Sequence, residues 1–227
     1  MMSGPFCFAV IRVPRWGGAG ECAKWPTRGS RVLIHDPVFR PTVAMPLFEP
    51  VTLDTARLVL RPLREADAHA FFDIWSDREA MRYFSFSPMT HVEQAIERVA
   101  RNVKTSASGQ DLICVLELRE TGEALGECVL FHANEQCRRA EIGFSLRRKY
   151  WRGGYMHEAA SAVIDHAFGT LRLNRLEADI DPRNVASAGL LERLGFAREG
   201  LLRERWIVGD EVSDSALYGL LASDRRA

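Results

Sequence analysis

WRGGYMHEAASAVIDHAF at 151–168, followed by RLEADIDPRNVASAGLLERLGF at 175–196, holds the strongest structural signals in this sequence. An apolar, strand-like run at 141–146 leads into a basic turn at 147–154, and the turn opens directly into an amphipathic helix. A second strand at 176–180 and a second helix at 184–194 follow. The stretch therefore predicts a β-α-β unit in which a right-handed crossover places the two strands side by side and parallel.

The turn at 147–154 has the chemistry of an anion site. The first N–H groups of a helix have no partner within the helix, and the helix dipole is positive there, so a phosphate binds well at such an end. Gly153 and Gly154 let the backbone approach an anion closely. The same turn carries four cations: Arg147, Arg148, Lys149 and Arg152. We interpret the turn as a pyrophosphate cradle, and a glycine turn with solvated charges is the alternative.

Five segments, spread between about residues 51 and 221, resemble one known family when they are taken in order. They are TARLVLRPLREADA (55–68), AEIGFSL (140–146), YWRGGYMHEAA (150–160), RLEADIDPRNVASAGLLERLGFAREGLLRE (175–204) and VSDSALYGLL (212–221). The family is the GNAT superfamily of acetyl-CoA-dependent N-acetyltransferases, and the sequence looks most like its RimJ/RimL branch, named for enzymes that acetylate ribosomal proteins at their N-termini. The resemblance implies an α+β fold, the GNAT fold, with a mixed, mostly antiparallel sheet, a splayed central strand pair and helices on both faces.

The sequence upstream of the resemblance has a different character. Residues 1–50 carry seven prolines and no persistent helical or strand period, so we expect a poorly ordered N-terminal extension. A misassigned start, with Met45 as the true first residue, is an alternative, and a regulatory or docking tail is another. Residues 51–222 form the predicted N-acetyltransferase domain, and residues 223–227 form a short C-terminal tail.

The charge balance and the cysteines limit the remaining classes of protein. Thirty basic and thirty acidic residues give no net charge, so nothing predicts binding to nucleic acid or to a membrane surface. No apolar run approaches the roughly 20 residues that span a bilayer. The five cysteines show neither CxxC pairs nor metal-ligand spacing, which predicts no metal site and favours reduced thiols in the cytoplasm.

The resemblance also implies where acetyl-CoA, the expected acetyl donor, binds. Its pantetheine arm is expected to lie between the splayed strands and to hydrogen-bond to the backbone as an added strand would. Asn184 is expected to contact this arm, although Asn184 also fits a plain helix N-cap. The expected contacts with acetyl-CoA are Ile142, Phe144, Ser145, Leu146, Arg147, Lys149, Arg152, Gly153, Gly154, Tyr155, Met156, Asn184 and Ser187.

One departure from the family pattern falls in the cradle. The family's loop usually reads Gln/Arg-x-x-Gly-x-Gly/Ala, and Lys149, Arg152 and Gly154 occupy its three defined positions. The missing first glycine predicts a stiffer loop or one lost backbone contact, which a phosphate contact from Arg152 offsets. We therefore expect the acetyl-CoA site to be retained.

Two side chains are the first candidates for proton transfer. By resemblance, Ser187 matches the residue expected to protonate the leaving thiolate, and a local cap bond in its helix is the alternative. Glu141 lies on the strand beside the expected thioester and is a candidate for the base that deprotonates the amine. An ordinary charged residue at a strand start is the alternative for Glu141. Glu204 and Asp214 are further candidates for the base.

These expectations define two classes of function. The first is an N-acetyltransferase that moves an acetyl group from acetyl-CoA to a primary amine, on a protein N-terminus or a small molecule, by direct attack in a ternary complex. The second is a non-catalytic acyl-CoA-binding regulatory module. Residues 77–89 are the expected acceptor side. The candidates to line an acceptor pocket are Trp75, Tyr83, Phe84 and Phe86, and ordinary core packing is the alternative for each of them. No nucleic-acid or membrane partner is expected. The sequence leaves undecided whether the protein forms a homodimer.

Overall fold

A mixed sheet of eight strands runs through residues 48–226, the part of the chain that the computed structural model describes. The strands are β1 (Leu53–Asp54), β2 (Leu58–Pro62), β3 (Leu112–Leu118), β4 (Ala124–Asn134), β5 (Arg139–Leu146), β6 (Arg175–Ile180), β7 (Ala197–Val208) and β8 (Glu211–Leu221). The helices are α1 (Ala68–Trp75), α2 (Val92–Ala107), α3 (Tyr155–Gly169) and α4 (Val185–Arg193). The strand order is β1-β2-β3-β4-β5-β6-β8-β7, with only β5 and β6 parallel in this described sheet. The predicted mixed, mostly antiparallel sheet is confirmed.

Apolar side chains cover both faces of the central strands. On β3, Leu112, Cys114 and Leu116 enter the core formed with α3 and α4, whereas Ile113 and Val115 enter the core formed with α1 and α2. Successive residues of a strand point to opposite faces, so one run of apolar residues fills two cores. The predicted arrangement of helices on both faces is therefore confirmed. None of the helices within residues 48–226 is long and apolar enough to cross a membrane.

The parallel strands β5 and β6 pair only where they begin. Their ladder runs from Arg139 beside Arg175 to Glu141 beside Glu177. Beyond Glu141, β5 continues to Leu146 bonded to β4, while β6 continues along β8. Within the described chain, the facing edges of the two strands are not paired with each other after this point. This separation is the predicted splay, and it leaves one edge of β5 open.

The packed domain extends past the boundaries that the sequence predicts. Phe48, which falls within the expected extension, is only 2% exposed in the core and donates its backbone N–H to Gly109. Beyond residue 222, Arg225 pairs with Asp165 of α3. These docking contacts join segments that are distant in sequence, so no local pattern marks them. Residues 1–47, with most of the expected extension and Met45, lie outside the described residues.

A chain shortened to begin at Met45 is expected to unfold at the same temperature as the full-length chain, because it keeps Phe48 and the buried residues of both cores described above. The measurement is thermal unfolding of the two chains side by side. Phe48→Ala in the full-length chain is the comparison, since removing a buried phenylalanine costs about 3–5 kcal/mol. A truncated chain as unstable as Phe48→Ala would contradict the prediction.

Candidate active site

The turn between β5 and α3 places two glycines at the exposed N-terminal end of the helix. Gly154 is the N-cap of α3, and its φ of 77° is left-handed, which glycine adopts without strain. A Cβ on Gly153 would lie 2.7 Å from the Tyr155 ring, so any other residue there would force the ring to shift. Both glycines are exposed, and the unpaired N–H groups and positive dipole of the helix begin beside them. This geometry fits an anion site.

Arg147, Arg148 and Lys149 in the turn are bonded to carboxylates from other segments. The pairs are Arg147 with Asp73 and Glu123, Lys149 with Glu123, and Arg148 with Asp77. The bond from Lys149 holds the pKa of Glu123 below its ordinary value and the pKa of Lys149 above its own. These pairs tie the turn to α1 and to the β3–β4 connection. The three cations therefore shape the turn, and their direct contact with a phosphate stays a prediction.

Arg152 has the backbone conformation that suits the glycine missing from the family pattern. Its φ is 65°, in the left-handed region where a residue with a side chain pays a penalty of about 1–2 kcal/mol. Arg152 is exposed and directly precedes Gly153 and Gly154. The loop thus follows a glycine-like path although its sequence departs from the pattern, and it carries an arginine next to the candidate anion site.

Arg57, which the sequence alone does not mark, lies against the same turn. Its Nη1 donates to the backbone oxygen of Gly153 at 2.9 Å, and its Nε donates to Glu158 at 2.7 Å. Its guanidinium also lies 4.3 Å from the centre of the Tyr155 ring. Burial works to raise the pKa of Glu158, but hydrogen bonds from Thr55 and Arg57 outweigh it and hold that pKa below its ordinary value. Arg57 therefore neutralises a carboxylate that would otherwise repel an anion from the start of α3.

The far side of the splay is formed by the segment between β6 and α4. Asn184 is the N-cap of α4, and its Oδ1 accepts the N–H of Ser187 at 3.1 Å. Its Nδ2 is buried and has no hydrogen-bond partner among the described residues. An unsatisfied buried donor costs about 1–3 kcal/mol, so this amide suits a site that receives an oxygen from a ligand. Ser187 is fully buried in the first turn of the same helix.

Glu141 lies at the closed end of the splay rather than along its open part. It is the last β5 residue of the ladder with β6, where it is paired with Glu177. Its Oε1 lies 3.1 Å from Nδ1 of His132, and this hydrogen bond is the main reason that the pKa of His132 is raised. A catalytic base must reach the proton that it removes. The position of Glu141 does not favour it, and its catalytic role stays a prediction.

Two cavities adjoin residues 77–89, the expected acceptor side. The smaller, of about 460 Å³, lies between this segment and the β7–β8 hairpin, and Arg183 also lines it. The larger, of about 990 Å³, lies between α2 and the strands β3 and β4, and Trp75 also lines it. Phe84 and Phe86 line both cavities. The expected acceptor segment therefore forms a wall common to the two spaces.

Glu127 is a carboxylate within an otherwise apolar part of β4, LGECVLF at 125–131. It is only 8% exposed, and it lines the larger cavity. The hydroxyl of Ser145 on β5 donates to it over a long 3.4 Å. Burial raises the pKa of Glu127 to about 7, against the opposing effects of Arg98 and Ser145. A lone carboxylate in an apolar strand is a signal that the sequence contains, but only the structure shows that the carboxylate meets a cavity.

The acetyltransferase (GNAT) domain family has a sequence profile that matches residues 57–197. The chain is 36% identical over 170 residues to the uncharacterised N-acetyltransferase p20 of Bacillus licheniformis, covering 75% of this chain and 96% of that protein. It is 32% identical over 83 residues to the ribosomal protein uS5-alanine N-acetyltransferase of Escherichia coli, covering 37% of this chain and 43% of that protein. The solved structure of Mycobacterium smegmatis RimJ in complex with CoA-disulfide has a TM-score of 0.70 at 26% identity, with 77% of this chain and 89% of that chain covered.

The family match supports an acyltransferase, and the splayed sheet agrees with it. The chain belongs to the GNAT acetyltransferase family, and its fold is the GNAT fold. Relatives in this family include proteins named as ribosomal-protein acetyltransferases, while the p20 relative is named only as an N-acetyltransferase.

Proposed function

We propose that this protein is an N-acetyltransferase that moves an acetyl group from acetyl-CoA to a primary amine by direct attack in a ternary complex. The observation that carries the proposal is the open edge of β5 beyond Glu141, which leads to the anion site at α3 and faces the side of the splay that holds Asn184. An extended pantetheine arm pairs with an open strand edge as another strand would. The pyrophosphate then lies at the N-terminus of the helix, where anions bind best.

The residues present suit acetyl-CoA. The buried Nδ2 of Asn184 supplies a donor for an oxygen of the pantetheine arm, and the exposed glycines leave room for the pyrophosphate. Acetyl-CoA would supply the acetyl group as an activated thioester. The residues proposed to hold it are Ile142, Phe144, Ser145, Leu146, Arg147, Lys149, Arg152, Gly153, Gly154, Tyr155, Met156, Asn184 and Ser187.

The transfer requires three catalytic contributions from the protein. A base removes a proton from the amine, N–H groups stabilise the oxyanion, and a donor protonates the leaving thiolate. Ser187, buried in the first turn of α4, is proposed as the donor. The acceptor is a protein N-terminus, as the names of some relatives support, or a small amine, as the cavities support.

The cysteines support a cytoplasmic location as part of the same proposal. Cys114 and Cys128 are paired in register across β3 and β4, and both are buried, free thiols. Disulfides form and persist in oxidising compartments and are rare in the cytosol. Buried, neighbouring thiols suit a reducing environment, and we propose the cytoplasm on that ground.

Acetyl-CoA is expected to stabilise the full-length protein against heat. At a ligand concentration of 100 times the dissociation constant, linkage contributes about 2.7 kcal/mol, which corresponds to a rise in Tm of roughly 5–10 °C for a chain of this size. The measurement is thermal unfolding with and without acetyl-CoA, with ATP and NADH as controls that should shift Tm much less. A folded sample whose Tm does not respond to millimolar acetyl-CoA would contradict the proposal.

Binding alone does not separate an enzyme from an acyl-CoA-binding module. Release of the coenzyme A thiol in the presence of amines and N-terminal peptides makes that distinction. Amine-dependent release supports the transferase. Tight binding of acetyl-CoA without release for any acceptor in a broad panel favours the non-catalytic module instead.

A further inference from the structure

Glu127 is a buried carboxylate that has bonding capacity left. Ser145 supplies one long hydrogen bond, and Arg98 of α2 contributes a favourable charge. Arg98 itself packs over the rings of Phe86 and Trp75, and its Nε has no hydrogen-bond partner among the residues described. Buried carboxylates are normally paired or hydrogen-bonded several times. Glu127 can therefore accept a cation from the cavity that it lines.

Glu127 also lies one strand away from the open edge of the splay. It is paired with Ser145 in the β4–β5 ladder, and Ser145 belongs to the part of β5 beyond its pairing with β6. Neighbouring strands are about 4.8 Å apart. An arm added along the open edge of β5 would therefore lie about one strand spacing from Ser145 and two from Glu127. The Glu127 side chain covers part of this distance, and the amine nitrogen then lies between the carboxylate and the thioester.

The cavity beside Glu127 has the size and walls of a small-molecule site. Its volume of about 990 Å³ falls at the top of the range for such sites, about 300–1,000 Å³. Aromatic side chains from three segments face it, and aliphatic side chains from β3 and β4 complete the apolar wall. These residues are Trp75, Phe84, Phe86, Ile113, Val129 and Phe131.

Charged groups line the remainder of the cavity. Arg98 and Arg101 come from α2, and Asp111 precedes β3. His132 lies near the end of β4, and Glu135 directly follows that strand. Burial raises the pKa of Asp111, and the bond from Glu141 raises the pKa of His132. Of the carboxylates Glu127, Asp111 and Glu135, only Glu127 lies on β4 where that strand pairs with the open part of β5. It is also the only one of the three that accepts a hydrogen bond from Ser145 on β5.

We propose that Glu127 is the catalytic base of the acetyl transfer and that the cavity it lines receives a small primary amine with an apolar, ring-sized body. The inference rests on the proposed function, because it requires acetyl-CoA at the splay. The ammonium group of the acceptor pairs with the Glu127 carboxylate, and the body of the acceptor packs against the aromatic wall.

Every proton in the transfer is accounted for when Glu127 is the base. The ammonium group gives one proton to the carboxylate, and the neutral nitrogen attacks the carbonyl carbon to form the C–N bond. The C–S bond breaks, and the nitrogen loses its second surplus proton as the thiolate gains one through Ser187. Glu127 then returns its proton to water. The products are the N-acetyl amine, the coenzyme A thiol and one proton.

The pH dependence of turnover follows from the ionisation of this base. Only the ionised carboxylate accepts a proton, and burial raises the pKa of Glu127 to about 7. Turnover is therefore expected to rise with pH through about 7 and then to level off. His132 and Asp111 face the same cavity, so the assignment of this rise to Glu127 requires variants.

The test uses the full-length protein and three glutamine variants: Glu127→Gln, Glu141→Gln and Glu117→Gln. Phenethylamine and tyramine are the acceptors, and an alanine-initiated tetrapeptide is the comparison. Release of the coenzyme A thiol is followed as a function of pH, and binding of acetyl-CoA is measured by calorimetry. Glu117 is the matched control because it points to the same face of the sheet as Glu127 but is paired with Arg61.

Glu127→Gln is expected to lower kcat for both amines by about 100-fold or more and to remove the rise near pH 7, with acetyl-CoA affinity unchanged. Glu117→Gln is expected to keep both turnover and the pH profile. Loss of the rise in Glu141→Gln but not in Glu127→Gln would assign the base to Glu141 and overturn the inference. No turnover of either amine, or faster turnover of the tetrapeptide, would also overturn it. Failure of the wild type to bind acetyl-CoA would instead overturn the proposed function.

Discussion

Turnover of the Ser187→Ala variant is expected to fall by about 100- to 10,000-fold, while its affinity for acetyl-CoA changes little. Ser187 is fully buried, and its backbone N–H is bonded to Asn184, whose amide is proposed to hold the pantetheine arm. A general acid that protonates the leaving group contributes a factor of this size to the rate. The measurements are release of the coenzyme A thiol at saturating acetyl-CoA and calorimetric binding of acetyl-CoA.

Ser106→Ala is the matched control for this variant. Ser106 is also a buried serine in a helix, near the end of α2, and it is not among the lining residues of the two cavities described above. It is expected to keep full turnover. Unchanged turnover in Ser187→Ala would leave Ser187 as a structural helix residue. Equal losses of binding and turnover would make it a contact to acetyl-CoA rather than the acid.

Gly154→Val is expected to weaken acetyl-CoA binding by about 100-fold or more and to lower Tm. The φ of 77° is left-handed, where a β-branched residue is strained. A Cβ would meet the Arg57 guanidinium at 3.4 Å, and the two methyl groups beyond it would occupy the space where a phosphate approaches the helix. Each charge-assisted bond to a phosphate is worth about 1.5–3 kcal/mol, so losing two accounts for the expected change.

Gly209→Val is the control that distinguishes the effect of backbone strain from the effect of blocking the proposed anion site. Gly209 also has a left-handed backbone, with φ of 59°, in the β7–β8 turn, and a Cβ there meets nothing within 4 Å. The Tm of Gly209→Val is expected to fall because the valine backbone is strained in the same way, while the variant binds acetyl-CoA as the wild type does. Normal binding in Gly154→Val, or equal weakening in both variants, would show that the phosphate lies elsewhere.

At two positions the proposed chemistry of the site opposes the stability of the fold. Arg152 holds a left-handed backbone at the anion site, and Glu127 is buried beside a cavity. Because the folded state raises the pKa of Glu127 from 4.5 to about 7, it binds the proton more tightly than the unfolded chain does. The stability linked to Glu127 is therefore present below pH 4.5 and is lost as pH rises through about 7, by at most about 3 kcal/mol.

Short-range sequence determined the β-α-β unit and the glycine turn that we propose as the anion site. The glycines at 153 and 154 lie between an apolar run and an amphipathic helix, and they form the predicted turn. Asn184 caps α4 as its residue type favours. These features depend on residues within about one helical turn of each other. A pattern in a single sequence is therefore enough to reveal them.

The partners of the charged residues were decided only by the tertiary structure. Arg57 reaches Gly153 and Glu158 across 96 and 101 residues of sequence, and no local pattern relates these positions. Glu127 faces a cavity because α2 packs over the strands β3 and β4. The burial that raises its pKa is a property of that packing and not of its strand. From the sequence alone Glu141 was a candidate for the base. The separation of β5 from β6 puts Glu141 at the closed end of the splay, whereas Glu127 is paired with the open part of β5 from the neighbouring strand, which favours Glu127 in our proposal.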